Sequence, residues 1–360
     1  MESDKSVFPV FSIDRDKIHW EDHLFDLTPV GLIGDVWFKR EDLFAPLGVG
    51  GINGSKLRQA IYMFHKYYQE GGKGIMLSGA SVLSPQLSMG TAVARHFGYE
   101  AVHVIGATTP ENSIKRKMVE MATWFGARFE HIKVGYNPAL QKRVRELYKE
   151  RGEVDFILNY GITVSKDATD EEIAMFHLVG ANQVQNIPKH IDTLILPSGS
   201  CNSAISVLTG LFMYRESLPS LKRVILIGIG PDKLPFISAR LSAISRYLGL
   251  NTFNFNNFFE GEGLLGKPVE MAFDLYYFNL FKMGYTDYQA RVKCSYEGIK
   301  FHPTYEAKVM KFIKEFMPEL LNPNSLFWII GSEPTIEAMR KHNEFNEIPK
   351  KTMIYEGVKR

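Results

Sequence analysis

Cysteine is scarce: the 360 residues contain two, Cys201 and Cys294, far apart in the chain. That is too few for a disulfide framework and points to a reducing, cytoplasmic setting. Long hydrophobic runs are missing as well, and none approaches the roughly 20 residues that a membrane-crossing helix needs. The opening Met1-Glu2-Ser3-Asp4-Lys5 lacks the basic-then-apolar pattern of a secretion signal. Charge of one sign is also missing. Lys and Arg total 42 against 40 Asp and Glu, a net charge of +2, so no basic field indicates nucleic acid as a partner. The ten histidines are scattered and no Cys-x-x-Cys pair occurs, so no metal site is expected. There is no internal repeat and no low-complexity tract.

What is present is the composition of a soluble globular protein, 45% apolar and 23% charged. The length suits two domains, each with its own core. Short apolar runs alternate with helical patterns, which predicts an α/β protein whose parallel sheets are flanked by helices. Strands are expected over 74–77, 101–105, 129–134, 193–196, 224–229 and 326–330. Helices are expected over 56–69, 85–97, 111–125, 137–151, 170–186, 202–215, 234–248, 269–282, 286–296 and 303–317. The polar stretch 161–170 suits a crossing between two sheets.

Four separated blocks carry chemistry. In the first, the apolar run Val36-Trp37-Phe38 leads into Lys39-Arg40-Glu41-Asp42, then a glycine-rich turn, Gly50-Gly51-Ile52-Asn53-Gly54-Ser55, delivers Lys56 to a helix start. Glycine permits a backbone that hugs a ligand, and a lysine held there can form a Schiff base with an aldehyde. In the second, a strand runs into the small-residue loop Ser78-Gly79-Ala80-Ser81-Val82-Leu83-Ser84-Pro85-Gln86, whose N–H groups suit an anion. In the third, Leu194-Ile195-Leu196-Pro197 runs into Ser198-Gly199-Ser200-Cys201-Asn202-Ser203, the build of a phosphate cradle. Cys201 reads as a packed small residue rather than a nucleophile. The fourth is Tyr296-Glu297-Gly298-Ile299 followed by His302-Pro303-Thr304-Tyr305-Glu306. A fifth stretch, Trp328-Ile329-Ile330-Gly331-Ser332-Glu333-Pro334, closes the series. Gly228-Ile229-Gly230 is only half of a dinucleotide fingerprint and reads as a strand-to-loop turn.

In order and spacing these blocks, from residue 28 to about 335, resemble the pyridoxal-phosphate enzymes of the tryptophan synthase β-like fold (fold type II). The resemblance is greatest to the subgroup of 1-aminocyclopropane-1-carboxylate deaminase and D-cysteine desulfhydrase. It implies a small α/β domain, 62–165, inserted into a large cofactor domain formed by 1–61 and 166–360, with pyridoxal 5'-phosphate between them. It implies Lys56 as the Schiff-base lysine, the loop Ser198, Gly199, Ser200, Cys201, Asn202 and Ser203 at the phosphate, and Glu306 at the ring nitrogen. Ser81, Ser84 and Gln86 would face the carboxylate of a small amino-acid substrate, with Tyr305 and Ser84 joining Lys56 and Glu306 as catalytic groups. A homodimer is implied as well.

Several positions depart from the family pattern. Ser55 and Pro85 each stand where asparagine is usual, and that second asparagine contacts the cofactor's ring hydroxyl. His302 replaces an aspartate, and Ile330 cannot offer a hydroxyl to the ring nitrogen, which strengthens Glu306. Glu306 itself follows the deaminase branch. The expected activity is elimination or ring opening to a 2-oxo acid and ammonia. The alternatives are β-replacement or other carbanion chemistry on an unusual amino acid, and a fold relative that has lost chemistry and serves binding.

Overall fold

A computed structural model describes residues 9–11, 19–249, 273–342, 345–347 and 354–355. Two sheets organise it. The larger has six strands in the order Asp274–Asn279, Arg223–Gly228, Thr193–Ser198, Ser325–Ile329, Val36–Arg40 and Val30–Ile33. All neighbours are parallel except the last pair, an antiparallel hairpin. The smaller sheet is wholly parallel, in the order Ile354–Tyr355, Arg128–Ile132, Glu100–Gly106, Ile75–Gly79 and Phe156–Leu158.

Helices cover the sheets, so central strands lose both faces to the core. Every residue of Thr193–Ser198, Ile75–Gly79 and Ser325–Ile329 is buried. This is why these strands read as continuous apolar runs rather than alternating ones. Helix ends follow local chemistry. Thr169 and Glu172 form a reciprocal capping box at the start of Asp170–Ala181, and Gly249 closes Leu234–Leu248 in the left-handed conformation.

The six expected strands are present, and most expected helices agree to within a few residues. The expected helix 111–125 is broken into Pro110–Ser113 and Lys117–Trp124. The expected helix 269–282 is wrong where it can be compared: Asp274–Asn279 is an edge strand, and 269–272 lie outside the described residues. Its apolar residues occur at nearly every position, a pattern that periodicity cannot assign. Residues 286–296 form no helix; Val292 N–H donates to Pro303 O, and the buried Lys308 amine donates to the Asp287 and Tyr288 carbonyls. The strands Val30–Ile33, Val36–Arg40 and Phe156–Leu158 are not among those the sequence predicts.

In open parallel sheets, ligands bind beyond the carboxyl ends of the strands. Ser198, Ile329 and Gly79 all stand at such ends, which gathers blocks distant in sequence around one cleft.

Candidate active site

One pocket brings together Lys56, the 199–203 loop, Tyr305, Glu306 and the 330–332 stretch. Lys56 arrives there because of Gly54. That residue has φ +100°, and a Cβ on it would lie 2.6 Å from the Ile330 carbonyl oxygen. The next residue, Ser55, donates its N–H to that same oxygen at 2.9 Å. The Asn53 amide completes the clamp, accepting from Ser332 N–H at 2.8 Å while its Nδ2 donates to the Gly51 and Ser332 carbonyls. Burial lowers the Lys56 pKa to about 8, partly opposed by Cys201 and Glu306. Relative to an ordinary lysine, far more of this amine is uncharged near neutrality, the form that attacks an aldehyde.

The strand Thr193–Ser198 feeds the cradle at the start of the helix Asn202–Met213. Gly199, Ser200, Cys201 and Ser203 line the pocket. A Cβ on Gly199 would sit 3.1 Å from the Tyr305 ring, so glycine lets the loop pass beneath it. Cys201 has φ +67°, a region that favours glycine, and its buried thiol is pushed up to about 12. It is a strained packing residue without nucleophilic character. Two expected phosphate ligands point elsewhere. Ser198 Oγ donates back to the Leu196 carbonyl, and Asn202 Nδ2 donates to the carbonyls of Gly161 and Ile162. Asn202 thus fastens the turn through which the chain leaves the smaller sheet.

Glu306, in the first turn of the helix Glu306–Phe316, is 1% exposed. Its Oε1 accepts the N–H groups of Ile330 and Gly331 at 3.1 and 3.3 Å, while Oε2 is buried without a partner. Burial raises its pKa to about 8 against those two N–H groups. A positive charge placed beside Oε2 would reverse that preference and keep the carboxylate charged. The neighbouring Tyr305 hydroxyl lies 3.4 Å from that of Tyr288, and burial holds it well above the usual phenol range.

The loop after Ile75–Gly79 and the helix Gln86–His96 that follows it divide their residues between two spaces. Pro85 and Met89 face the Lys56 pocket, whereas Ser81 and Ser84 line an outer cleft shared with Tyr136, Tyr160, Tyr288 and Tyr305. Gln86 was expected to meet a substrate carboxylate, but its amide is committed to the protein. Nε2 donates to Ser78 Oγ at 2.9 Å and to the Leu158 and Asn159 carbonyls, and Oε1 accepts from Gly161 N–H at 2.7 Å.

The Lys-Arg-Glu-Asp block proves to be framework. Lys39 is fully buried and donates to Thr28 O and Asn186 Oδ1, each at 2.8 Å. Arg58 packs its guanidinium 3.9 Å from the Phe44 ring centroid and donates to the His23, Leu24 and Asp26 carbonyls. Arg40 grips Asp42 through two hydrogen bonds of 2.9 and 2.8 Å. The pocket-facing roles of Asn53, Met89 and His302 were not assigned from the sequence. For His302 the departure from aspartate was the available signal.

No family model matches the chain. An O-seryl-dTMP PLP-dependent decarboxylase of Salmonella phage ViI is 41% identical over 377 aligned positions, covering 93% of this chain and 88% of that protein. The chain belongs to the family of this pyridoxal-phosphate enzyme. Among solved structures, an ACC deaminase homologue superposes with a TM-score of 0.63 at 16% identity, covering 91% of this chain and 92% of its own. Diaminopropionate ammonia lyase of Escherichia coli, in its apo form, gives 0.50 at 11% identity, covering 94% and 87%. These two establish the fold, a mixed α/β architecture of fold type II.

The residues present fit pyridoxal phosphate. Lys56 would hold its aldehyde carbon, the Gly199–Ser200–Cys201 backbone and the helix start at Asn202 its phosphate, and the orphaned Glu306 Oε2 its ring nitrogen. Bound there, the cofactor supplies a pyridine ring that accepts the electron pair left at a substrate α-carbon. The chain's own part would be to hold the ring-side charge through Glu306, to enclose the site, and to carry protons at Lys56 Nζ and Tyr305 Oη.

Proposed function

We propose that this enzyme is a lyase that removes the carboxylate of a seryl group carried on a thymidine nucleotide. The observation that carries this reading is the apolar wall that Pro85 and Met89 give the Lys56 pocket. Gln86 is spent on the protein, Pro85 has no N–H, and Pro85 and Met89 present an apolar wall beside Lys56. A carboxylate against such a wall loses solvation that neutral carbon dioxide does not need, which favours breaking the bond between them. The 41% identical phage relative, named for O-seryl-dTMP, supports the same outcome.

The chemistry constrains the linkage. A carboxylate that leaves must be free, so serine is attached through its side-chain oxygen. The α-carbon–carboxylate bond breaks, carbon dioxide departs, and Tyr305 or Lys56 returns a proton to the α-carbon, leaving a 2-aminoethyl ether on the nucleotide. The outer cleft suits the rest of the substrate. Tyr136 is 77% exposed there, beside Tyr160 and Tyr288, and flat rings of this kind stack on a base. One nucleotide needs no basic field, so the near-neutral charge is compatible with it.

The test supplies the holoprotein with O-seryl-dTMP and follows carbon dioxide, ammonia and the nucleotide product by mass. Carbon dioxide in step with an aminoethyl nucleotide supports the reading. Ammonia with a 2-oxo acid supports instead the elimination that the Tyr305–Glu306 pair suggests by its likeness to the deaminase branch.

A further inference from the structure

Three residues that line the Lys56 pocket each carry a buried side-chain atom without a hydrogen-bond partner: Ser200 Oγ, Glu306 Oε2 and His302 Nε2. Buried polar atoms are costly to leave unpaired, so a set of them on residues around one cavity points to the polar groups of its occupant. Besides the aldehyde taken by Lys56, pyridoxal phosphate has three polar functions: a phosphate, a ring nitrogen and a phenolic oxygen. Ser200 belongs to the phosphate loop and Glu306 fits the ring nitrogen. His302 and the phenolic oxygen remain.

The tautomer agrees. Thr304 N–H donates to His302 Nδ1 at 3.2 Å, so in the neutral ring the proton resides on Nε2. The side chain is 6% exposed, and its ring centroid lies 4.7 Å from that of Tyr305. Burial pushes its pKa down to about 4, which keeps the ring neutral and Nε2 a donor at physiological pH.

Placement agrees as well. On the pyridine ring, phosphate arm and phenolic oxygen flank the aldehyde carbon from opposite sides. The His302 ring packs against Tyr305, as the Gly199 loop does from its own side, and all three line the Lys56 pocket.

We propose that His302 donates a hydrogen bond from Nε2 to the phenolic oxygen of the cofactor, the contact that Pro85 has no atom to make. His302 is thereby a cofactor-binding residue that helps set the electronic state of the ring.

Two readouts test this. In the holoprotein, His302→Leu is expected to move the visible absorption band of the Lys56-bound cofactor, and His302→Gln, which restores a side-chain N–H, to move it back. In fluorescence titrations of apoprotein, pyridoxal phosphate is compared with the deoxy analogue that lacks the phenolic oxygen. The affinity penalty for deleting that oxygen should be about tenfold smaller in His302→Leu than in the unsubstituted protein, the size of a hydrogen bond to a charged group. An equal penalty in both proteins, with an unmoved band, overturns the proposal while leaving the cofactor assignment intact. A protein that takes up no pyridoxal phosphate at all overturns both.

Discussion

Ser55 Oγ and Ser203 Oγ lie 2.5 Å apart, joining the start of the Lys56 helix to the phosphate cradle. Residue 55 stands where the family pattern has asparagine, so in this chain the link between lysine and cradle is a pair of hydroxyls. Gln59, one helical turn on from Ser55, continues the seam by donating to Ser206 Oγ at 3.1 Å.

Ser55→Ala removes that link without touching the lysine. The imine should still form, but cofactor affinity should fall roughly fivefold, equivalent to about 1 kcal/mol for one net hydrogen bond. A fluorescence titration of apoprotein measures it. Unchanged affinity would show that the cradle holds its shape unaided.

The Lys56 amine has a pKa lowered to about 8 by burial. Only the uncharged amine attacks an aldehyde, so the rate of cofactor uptake by apoprotein should rise with pH and reach half its plateau near 8. Stopped-flow absorbance between pH 6 and 11 reads this curve. A midpoint near 10.5, the ordinary value for lysine, would mean that the amine is solvated.

Glu306 supplies a pH signature of a different sign. Its carboxyl is raised from 4.5 to about 8 in the folded apoprotein, mainly by burial. Between those values the folded chain keeps a proton that the unfolded chain gives up, so this group's contribution to stability declines as pH rises from 4.5 to 8 and is constant outside that window. Thermal melts of apoprotein at pH 5 and pH 8 should therefore show Glu306→Gln gaining relative to the unsubstituted protein at the higher pH. The same difference at both pH values would place the carboxyl in water. In the holoenzyme, Glu306→Gln should keep the visible band and lose roughly 10²–10³-fold in turnover, as expected when a group facing developing charge is removed.

Cys201 is 3% exposed, with its thiol pushed up to about 12 by burial, whereas Cys294 is only partly buried. Alkylation of native protein followed by peptide mass analysis should label Cys294 first and Cys201 only on unfolding. Early labelling of Cys201 would refute the packed assignment.

Much of this was legible in the sequence because the relevant signals are local. Thr193–Ser198 and Arg223–Gly228 are short apolar runs that end in small residues, and both lie where periodicity puts them. Lys56, Glu306 and the 198–203 loop announce themselves by residue type and order. What local signals miss is which way a side chain turns once distant segments arrive. Gln86 and Asn202 both look like ligands in sequence, yet both clamp the 158–162 turn, which lies remote from each in the chain. Lys39 and Arg58 belong to the charged motif around Lys56, yet both donate to backbone carbonyls behind the site, where Glu41 lies 3.9 Å from Arg58. His302 reads as a mere exception to a pattern until its orphaned nitrogen is seen in the pocket wall.

The central claim is that Lys56 carries the cofactor. Borohydride reduction of the holoprotein fixes any imine as a stable pyridoxyl-lysine, and peptide mass mapping then locates it. The account predicts one pyridoxyl group, on the peptide containing Lys56, and none in Lys56→Ala. A label on a different lysine, or no label on a protein that is active, would contradict it.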